Sequence, residues 1–184
     1  MNFNKTLLFL LCSIFFMHNS KHNAGVLPCT VINNTVYILI ARESEGPAMG
    51  MYADFSGESD PGETPQQTAL RELHEETRLL FSNVEIILSE VIRHPNKNYY
   101  LFLAWVPYIP GEEFLKILDG DLEKDAFEWV PAHDFLNALL NNPHKSSSYY
   151  QGMHIRPEFV DDCVHPFTNA LIKKFIDNFS LLEW

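Results

Sequence analysis

Three glutamates carry the strongest chemical signal in this chain. Glu72, Glu75 and Glu76 stand at i, i+3 and i+4, spacings that place all three carboxylates on one face of a helix. Like charges so close repel one another, and a helix tolerates them most easily when a cation sits among them. Hard oxygen donors in a cluster favour Mg²⁺ or Mn²⁺, ions that retain waters and bind substrate phosphates. Arg71, four residues before Glu75, can pair with it or with Glu63 across the preceding loop and so fix rotamers. Ala69, Leu70 and Leu73 are expected to bury the opposite side of the helix and hold the acidic face towards a cleft.

The stretch GESDPGETPQQTALRELHEETRL, from Gly57 to Leu79, resembles the Nudix box. Gly57, Glu63, Arg71, Glu72, Leu73, Glu75, Glu76 and Leu79 match its pattern, and Arg78 stands where the family usually has Gly. The opening GVLPCTVINNTVYILIARES, the FSG ahead of the box and the later EWVPAHDF extend the resemblance from about residue 25 to 140 and beyond. The resemblance implies an α/β fold, the Nudix α/β/α sandwich with a central mixed β-sheet. It also implies metal-dependent hydrolysis, with Mg²⁺ or Mn²⁺, of a nucleoside diphosphate linked to another moiety: a nucleotide sugar, an ADP-ribose-like compound, a dinucleotide or a nucleoside triphosphate.

Carried over position by position, the resemblance makes Glu72, Glu75 and Glu76 the catalytic and metal-binding carboxylates. Glu72 is either a ligand or the base that takes a proton from water. Gly57 offers its backbone carbonyl to the metal, and Glu63 and Arg71 support the site. A further metal carboxylate is expected from the loop before a late strand. Glu123, five residues before Glu128, is the leading candidate, with Asp121 and Asp125 as competitors. Pro95, 16 residues beyond Leu79, stands where the family associates a proline with ADP-ribose hydrolysis. Alternative readings are a Nudix-fold module that binds a nucleotide without cleaving it, and an exported effector-type phosphohydrolase. Arg78 falls at the helix C′ position, where a left-handed conformation favours Gly. On that ground alone Arg78→Gly would stabilise by about 1 kcal/mol.

The elements that must position these residues are legible from local signals. Thr64 and Gln67 form a capping-box pattern around Pro65, predicting a helix that ends near Thr77 or Arg78. Gly25–Ile32 and Thr35–Ala41 read as a hairpin turned at Asn33-Asn34. Tyr52–Phe55 reads as a short strand, and Val84–Ile92 with Tyr99–Val106 as a second hairpin across HPNKN. A short helix is expected over Glu112–Leu118, then a loop over Asp119–Lys124, a strand over Ala126–Val130 and a helix over Ala132–Leu140. Residues 142–158 read as irregular, and Pro166–Phe179 as a final amphipathic helix. His74 and His94, with Tyr52, Tyr99, Tyr149 and Tyr150, are weaker candidates for substrate contact.

The 184 residues fit one domain. With 46% hydrophobic and 20% charged residues the composition is globular. Twenty-four acidic against 13 basic residues, a net charge of −11, argue against duplex nucleic acid as a partner. They leave open a small-molecule nucleotide-type diphosphate bridged by a metal. Cys12, Cys29 and Cys163 lack zinc-site spacing. Residues 1–24 read as a signal peptide ahead of a domain over 25–184. The apolar run from Leu7 to Met17 is of signal length and too short for a stable membrane span. Cleavage between Ser20 and Gly25 would make the protein periplasmic or secreted; without it the chain would stay in the cytoplasm. After cleavage Cys29 and Cys163 would remain, as a pair or as two buried thiols.

Overall fold

The computed structural model describes residues 21–81, 87–93, 98–117, 123–142 and 148–177, with residues 87–93 described by their backbone. Cys12, His94, Pro95 and Asp121 lie outside these ranges. The described strands are β1 (Asn23–Ile32), β2 (Thr35–Glu43), β3 (Tyr52–Ala53), β4 (Phe55–Glu58), β5 (Ile87–Arg93), β6 (Tyr99–Trp105), β7 (Lys124–Pro131), β8 (Tyr149–Tyr150) and β9 (Met153–His154). The helices are α1 (Pro65–Glu76), α2 (Gly111–Phe114), α3 (Ala132–Leu140), α4 (Pro157–Val164) and α5 (Pro166–Asp177).

The main sheet runs β3-β2-β1-β6-β5, with β4 also pairing to β1 and β7 to β2. It is mixed: β1 and β2 are antiparallel across the Asn33-Asn34 turn, whereas β1 and β6 are parallel from Asn23↔Tyr99 to Cys29↔Trp105. Both turn asparagines have positive φ, 50° and 61°, which matches the right-handed twist of a tight hairpin.

Alternation along the strands builds two cores. Leu27 and Cys29 of β1, Val36, Ile38 and Ile40 of β2, and Leu101, Leu103 and Trp105 of β6 face α3, α4 and α5. Their neighbours Ala24, Val26, Leu39, Ala41, Phe102 and Ala104 face α1, α2 and Phe81. Period-two patterning with both faces apolar is what a sheet between helix layers demands, and the layers are those of an α/β/α sandwich. Cys29 and Cys163 are free and buried in the first core.

The structure differs from expectation at several elements. β1 starts at Asn23, two residues before Gly25, and α2 is one turn, ending at Phe114. The stretch after Tyr149 carries the short β8–β9 ladder and then α4, led by Pro157 at its first turn. Lys124 belongs to β7 and not to the preceding loop.

Candidate active site

Helix α1 is set by its first turn. Thr64 Oγ1 accepts from Gln67 N at 3.3 Å, and Gln67 Oε1 accepts from Thr64 N at 2.9 Å, so the capping box is complete. The helix lies against β1 and β4, and its buried residues are Thr68, Ala69, Glu72, Leu73 and Glu76. Two of the three predicted carboxylates are therefore sunk beside the apolar stripe, not held out on the opposite face.

Arg71 organises what surrounds them. Its Nε donates to Glu63 Oε1 at 2.9 Å and its Nη2 to Glu63 Oε2 at 3.2 Å, a two-pronged clasp across the loop. Nη2 also donates to the Glu58 carbonyl at 2.9 Å. Nη1 reaches Glu72 Oε1 at 2.7 Å and Glu75 Oε2 at 3.0 Å. Glu63 further accepts from Asp60 N at 2.8 Å and from Thr68 Oγ1 at 2.9 Å. The Arg71 hydrogen bonds, then that from Asp60, hold its carboxyl down to about 2. Both pairings weighed for Arg71 from the sequence occur at once.

Gly57 presses on Glu72 so closely that a β-carbon there would lie 2.3 Å from Glu72 Oε1. Burial pushes the Glu72 carboxyl up against the opposing pull of Arg71, with smaller upward pushes from the charges of Glu75 and Glu123. Glu75 is the exposed member, with 57% of its side chain accessible. Glu76 is the deepest. Its Oε1 pairs with Lys124 Nζ at 2.9 Å, and Lys124 also reaches Glu43 Oε1 at 2.7 Å. Burial raises the Glu76 carboxyl to about 8 in spite of that ammonium. For Lys124, burial is outweighed by Glu76 and Glu43, and it is held charged. Glu76 Oε2 is buried with no hydrogen-bond partner.

The pair continues into a network that was not anticipated. Glu43 accepts from Arg156 Nη1 at 3.2 Å, and Arg156 Nη2 donates to Asp54 at 3.3 Å. Asp54, 1% exposed, also accepts from Tyr99 Oη and from Ser56 Oγ. Glu76 is thereby linked through Lys124, Glu43, Arg156 and Asp54 to Tyr99.

Comparison with known proteins identifies the family. The sequence profile of the NUDIX domain matches residues 21–151. The chain belongs to the Nudix family. It is 29% identical over 131 residues to the dihydroneopterin triphosphate diphosphatase of Haemophilus influenzae, covering 64% of this chain and 80% of that protein. It is 33% identical over 86 residues to the NAD-capped RNA hydrolase NudC of Edwardsiella ictaluri, covering 46% of this chain and 33% of the relative, so it spans about a third of that protein's length. Among solved structures it resembles an Ap4A hydrolase from C. elegans, with a TM-score of 0.53 and 16% identity over 88% of this chain and 98% of the other. A mutT/nudix family protein from Listeria innocua gives a TM-score of 0.51 and 19% identity over 89% and 98%. These likenesses establish the Nudix fold.

Within that fold the Nudix-box donors fit a hard divalent cation. All are oxygen, the Gly57 backbone lies against Glu72, and Glu76 Oε2 is a buried acceptor without a partner. Among the described residues, no three acidic, imidazole or thiol side chains converge closely enough to hold an ion unaided. Arg71 and Lys124 are the counter-ions that stand on the carboxylates. Glu123 is exposed and close enough for its charge to act on Glu72, whereas Asp125 is engaged by Arg42 at 2.7 and 3.2 Å. Tyr149 is exposed beside His154, Tyr150 is buried near Phe135, and Tyr52 is buried in the core.

Arg78, the residue that departs from the Nudix box, has φ 54° and is followed by Leu79 at φ 63°. The left-handed conformation expected at the helix end is present. Its guanidinium, however, donates from Nη1 to the carbonyls of Phe114 at 2.8 Å and Ile117 at 2.9 Å, and from Nη2 to that of Lys124 at 3.1 Å. It ties the end of α1 to α2 and to the first residue of β7. The expectation that glycine would be better here is therefore reversed, because the side chain makes contacts that a glycine cannot.

Proposed function

We propose that this chain is a divalent-metal-dependent pyrophosphohydrolase that cleaves a phosphoanhydride bond in a nucleotide-type diphosphate or triphosphate. The observation that carries this reading is the set of box residues on one helix: Glu72 against Gly57, Glu75 open to solvent, Glu76 with an unpartnered oxygen, and Arg71 bracing them. Glu72, Glu75, Glu76 and the Gly57 carbonyl would hold Mg²⁺ or Mn²⁺, with Glu123 as the added carboxylate. Bound there, such a cation would lower the pKa of a coordinated water and neutralise phosphoryl charge. Glu72, buried and paired with Arg71, would serve either as one of these ligands or as the base that takes the proton of an attacking water. Arg71 and Glu63 keep the carboxylates in register, and Lys124 fixes Oε1 of Glu76, leaving Oε2 buried and without a partner.

A binding module without hydrolysis is favoured by one observation, that Arg71 and Lys124 already pair with Glu72, Glu75 and Glu76. One assay separates the two. Turnover is followed with Mg²⁺ or Mn²⁺ against nucleoside triphosphates, ADP-ribose, dinucleoside polyphosphates, NADH and dihydroneopterin triphosphate, the last because the Haemophilus relative is named for it. Glu75→Gln is the control of choice, since Glu75 is exposed and its replacement should leave the melting temperature unchanged. The expected outcome is metal-dependent release of a phosphate or nucleotide, and a loss of more than tenfold in kcat in the variant, above about 1.4 kcal/mol. Binding without turnover on the whole panel would overturn the hydrolase reading.

A further inference from the structure

By simple alternation Lys124 would point away from α1. Ala126, two residues on, packs against the core that faces α3, α4 and α5, and Phe127 lies in the core that faces α1. A regular strand would send Lys124 the way of Ala126. The pairing of β2 with β7 shifts register between Arg42 and Glu43: Arg42 faces Ala126 and Glu43 faces Lys124, with Asp125 as the extra residue. A bulge of this kind re-aims the side chain beside it. Asp125 is engaged by Arg42 at 2.7 and 3.2 Å, and Lys124, with 1% of its side chain exposed, reaches Glu76 of α1.

The shift gives Lys124 two anionic partners. Its Nζ lies 2.9 Å from Glu76 Oε1 and 2.7 Å from Glu43 Oε1. Glu43 is itself held in place. Its backbone N donates to Met51 O at 2.9 Å, its carbonyl accepts from Gly50 N at 2.8 Å, and its Oε1 also accepts from Arg156 Nη1 at 3.2 Å. Arg156 is anchored in turn, with its backbone N on Tyr52 O at 2.9 Å and its Nη2 on Asp54 at 3.3 Å. An ammonium is a compact charge with three rotatable donors. With Glu76 as its one anionic partner it would settle over that carboxylate and stand against a metal for it. Shared with Glu43, it takes Oε1 of Glu76 and leaves Oε2 buried without a partner.

We propose that Glu43 is a positioning residue for the metal ligand Glu76: it draws Lys124 to one side, so that the ammonium orients Glu76 without taking the cation's place, and Arg156 anchors Glu43 there. The proposal rests on the reading of Glu72, Glu75 and Glu76 as metal ligands. It gives Arg156, which lies beyond residue 151 where the family match stops, a part in the box. Groups behind a metal's ligands set its affinity as well as its geometry.

Mn²⁺ binding to the full chain is measured by calorimetry without nucleotide, and turnover is followed as Mn²⁺ is raised. Two variants separate contact from charge. Glu43→Gln removes the charge, and Glu43→Asp keeps it but is too short to hold Lys124 and Arg156 together. The Mn²⁺ Kd is expected to rise about tenfold in both. Turnover lost at low Mn²⁺ should return as Mn²⁺ saturates, with the nucleotide KM within about twofold of the native chain. Damage to the fold alone would not be reversed by added metal. Melting temperatures in chelator check folding, and Glu43→Asp, which leaves no buried cation unanswered, carries the test if Glu43→Gln melts early. Native affinity in Glu43→Asp would show that Glu43 acts by its charge and not by holding Lys124, and would overturn the proposal. Unchanged affinity in both variants would do so as well, leaving the hydrolase reading intact. No Mn²⁺ binding by the native chain would remove the metal-ligand reading and the proposal with it.

Discussion

At the scale of single residues, the site depends on close approach and on one shared guanidinium. Gly57 is not at a positive φ, so alanine there suffers no backbone strain, but its β-carbon would fall 2.3–2.6 Å from the Glu72 carboxylate. Glu72 is the flexible partner and would swing away. Gly57→Ala should thus leave the thermal midpoint nearly unchanged while cutting kcat at least tenfold; an equal loss of stability and activity would mean that the backbone moves instead. Glu63 supplies a pH test with a defined sign. Its pKa is depressed to about 2, below the ordinary carboxylate value. The stability it contributes is complete above the unfolded value and disappears as pH falls towards 2. The difference in thermal midpoint between the native chain and Glu63→Gln should be constant from pH 7 to 5 and shrink steadily below about 4.5. A difference that is flat down to pH 3 would show that the Arg71 clasp does not stabilise the fold.

At the scale of elements, what could be read beforehand was what is encoded within a few residues. The Asn33-Asn34 turn, the Thr64–Gln67 box and the two-residue alternation of β1, β2 and β6 each depend on neighbours in sequence. Lys124, Glu43, Asp54 and Arg156 could not be read in the same way. Lys124 meets Glu43 because β7 pairs with β2 in the register Glu43↔Lys124, and no local pattern announces a buried lysine after an acidic loop. The burial of Glu72 and Glu76 was missed because helical periodicity reports which residues share a face, not what packs against it. Arg78 teaches the same lesson: its backbone conformation followed from the helix end, but its three carbonyl partners lie 36–46 residues away. Arg78→Gly relieves about 1 kcal/mol of left-handed strain but removes three charge-assisted hydrogen bonds, each worth about 1.5–3 kcal/mol when fully formed. A net destabilisation of about 2 kcal/mol or more is expected in chemical denaturation. Stabilisation by glycine would show that water replaces the guanidinium without loss.

At the scale of the whole molecule, β1 is the strand on which the rest is hung, since β2, β4 and β6 all pair with it. Its first residues also hold the site: Asn23 pairs with Glu58 and Ala24 with Gly57, the glycine that faces Glu72. The two residues before it are tied in as well. His22 O accepts from Ser59 N at 2.8 Å, His22 N donates to Ser59 Oγ at 3.2 Å, and Asn23 N donates to Asn98 O at 2.9 Å. Lys21 forms an ion pair with Glu58. If the N-terminal segment is an export signal, these bonds restrict where it can be cut. A chain beginning at Lys21 keeps all of them and should match the full chain in melting temperature and turnover. A chain beginning at Gly25 loses these bonds and those from Asn98 Nδ2 to Lys21 O and between His22 Nε2 and Thr68 Oγ1, each hydrogen bond worth about 1 kcal/mol, and the strand residues opposite Glu58 and Gly57. It should melt lower and lose activity more than its stability alone would explain, because β4 is then no longer pinned at Gly57. The natural terminus, read by mass spectrometry on protein from its native host, is therefore expected at or before Lys21. A fully active protein that begins at Gly25 would show that the β1–β4 pairing does not hold Gly57 against Glu72.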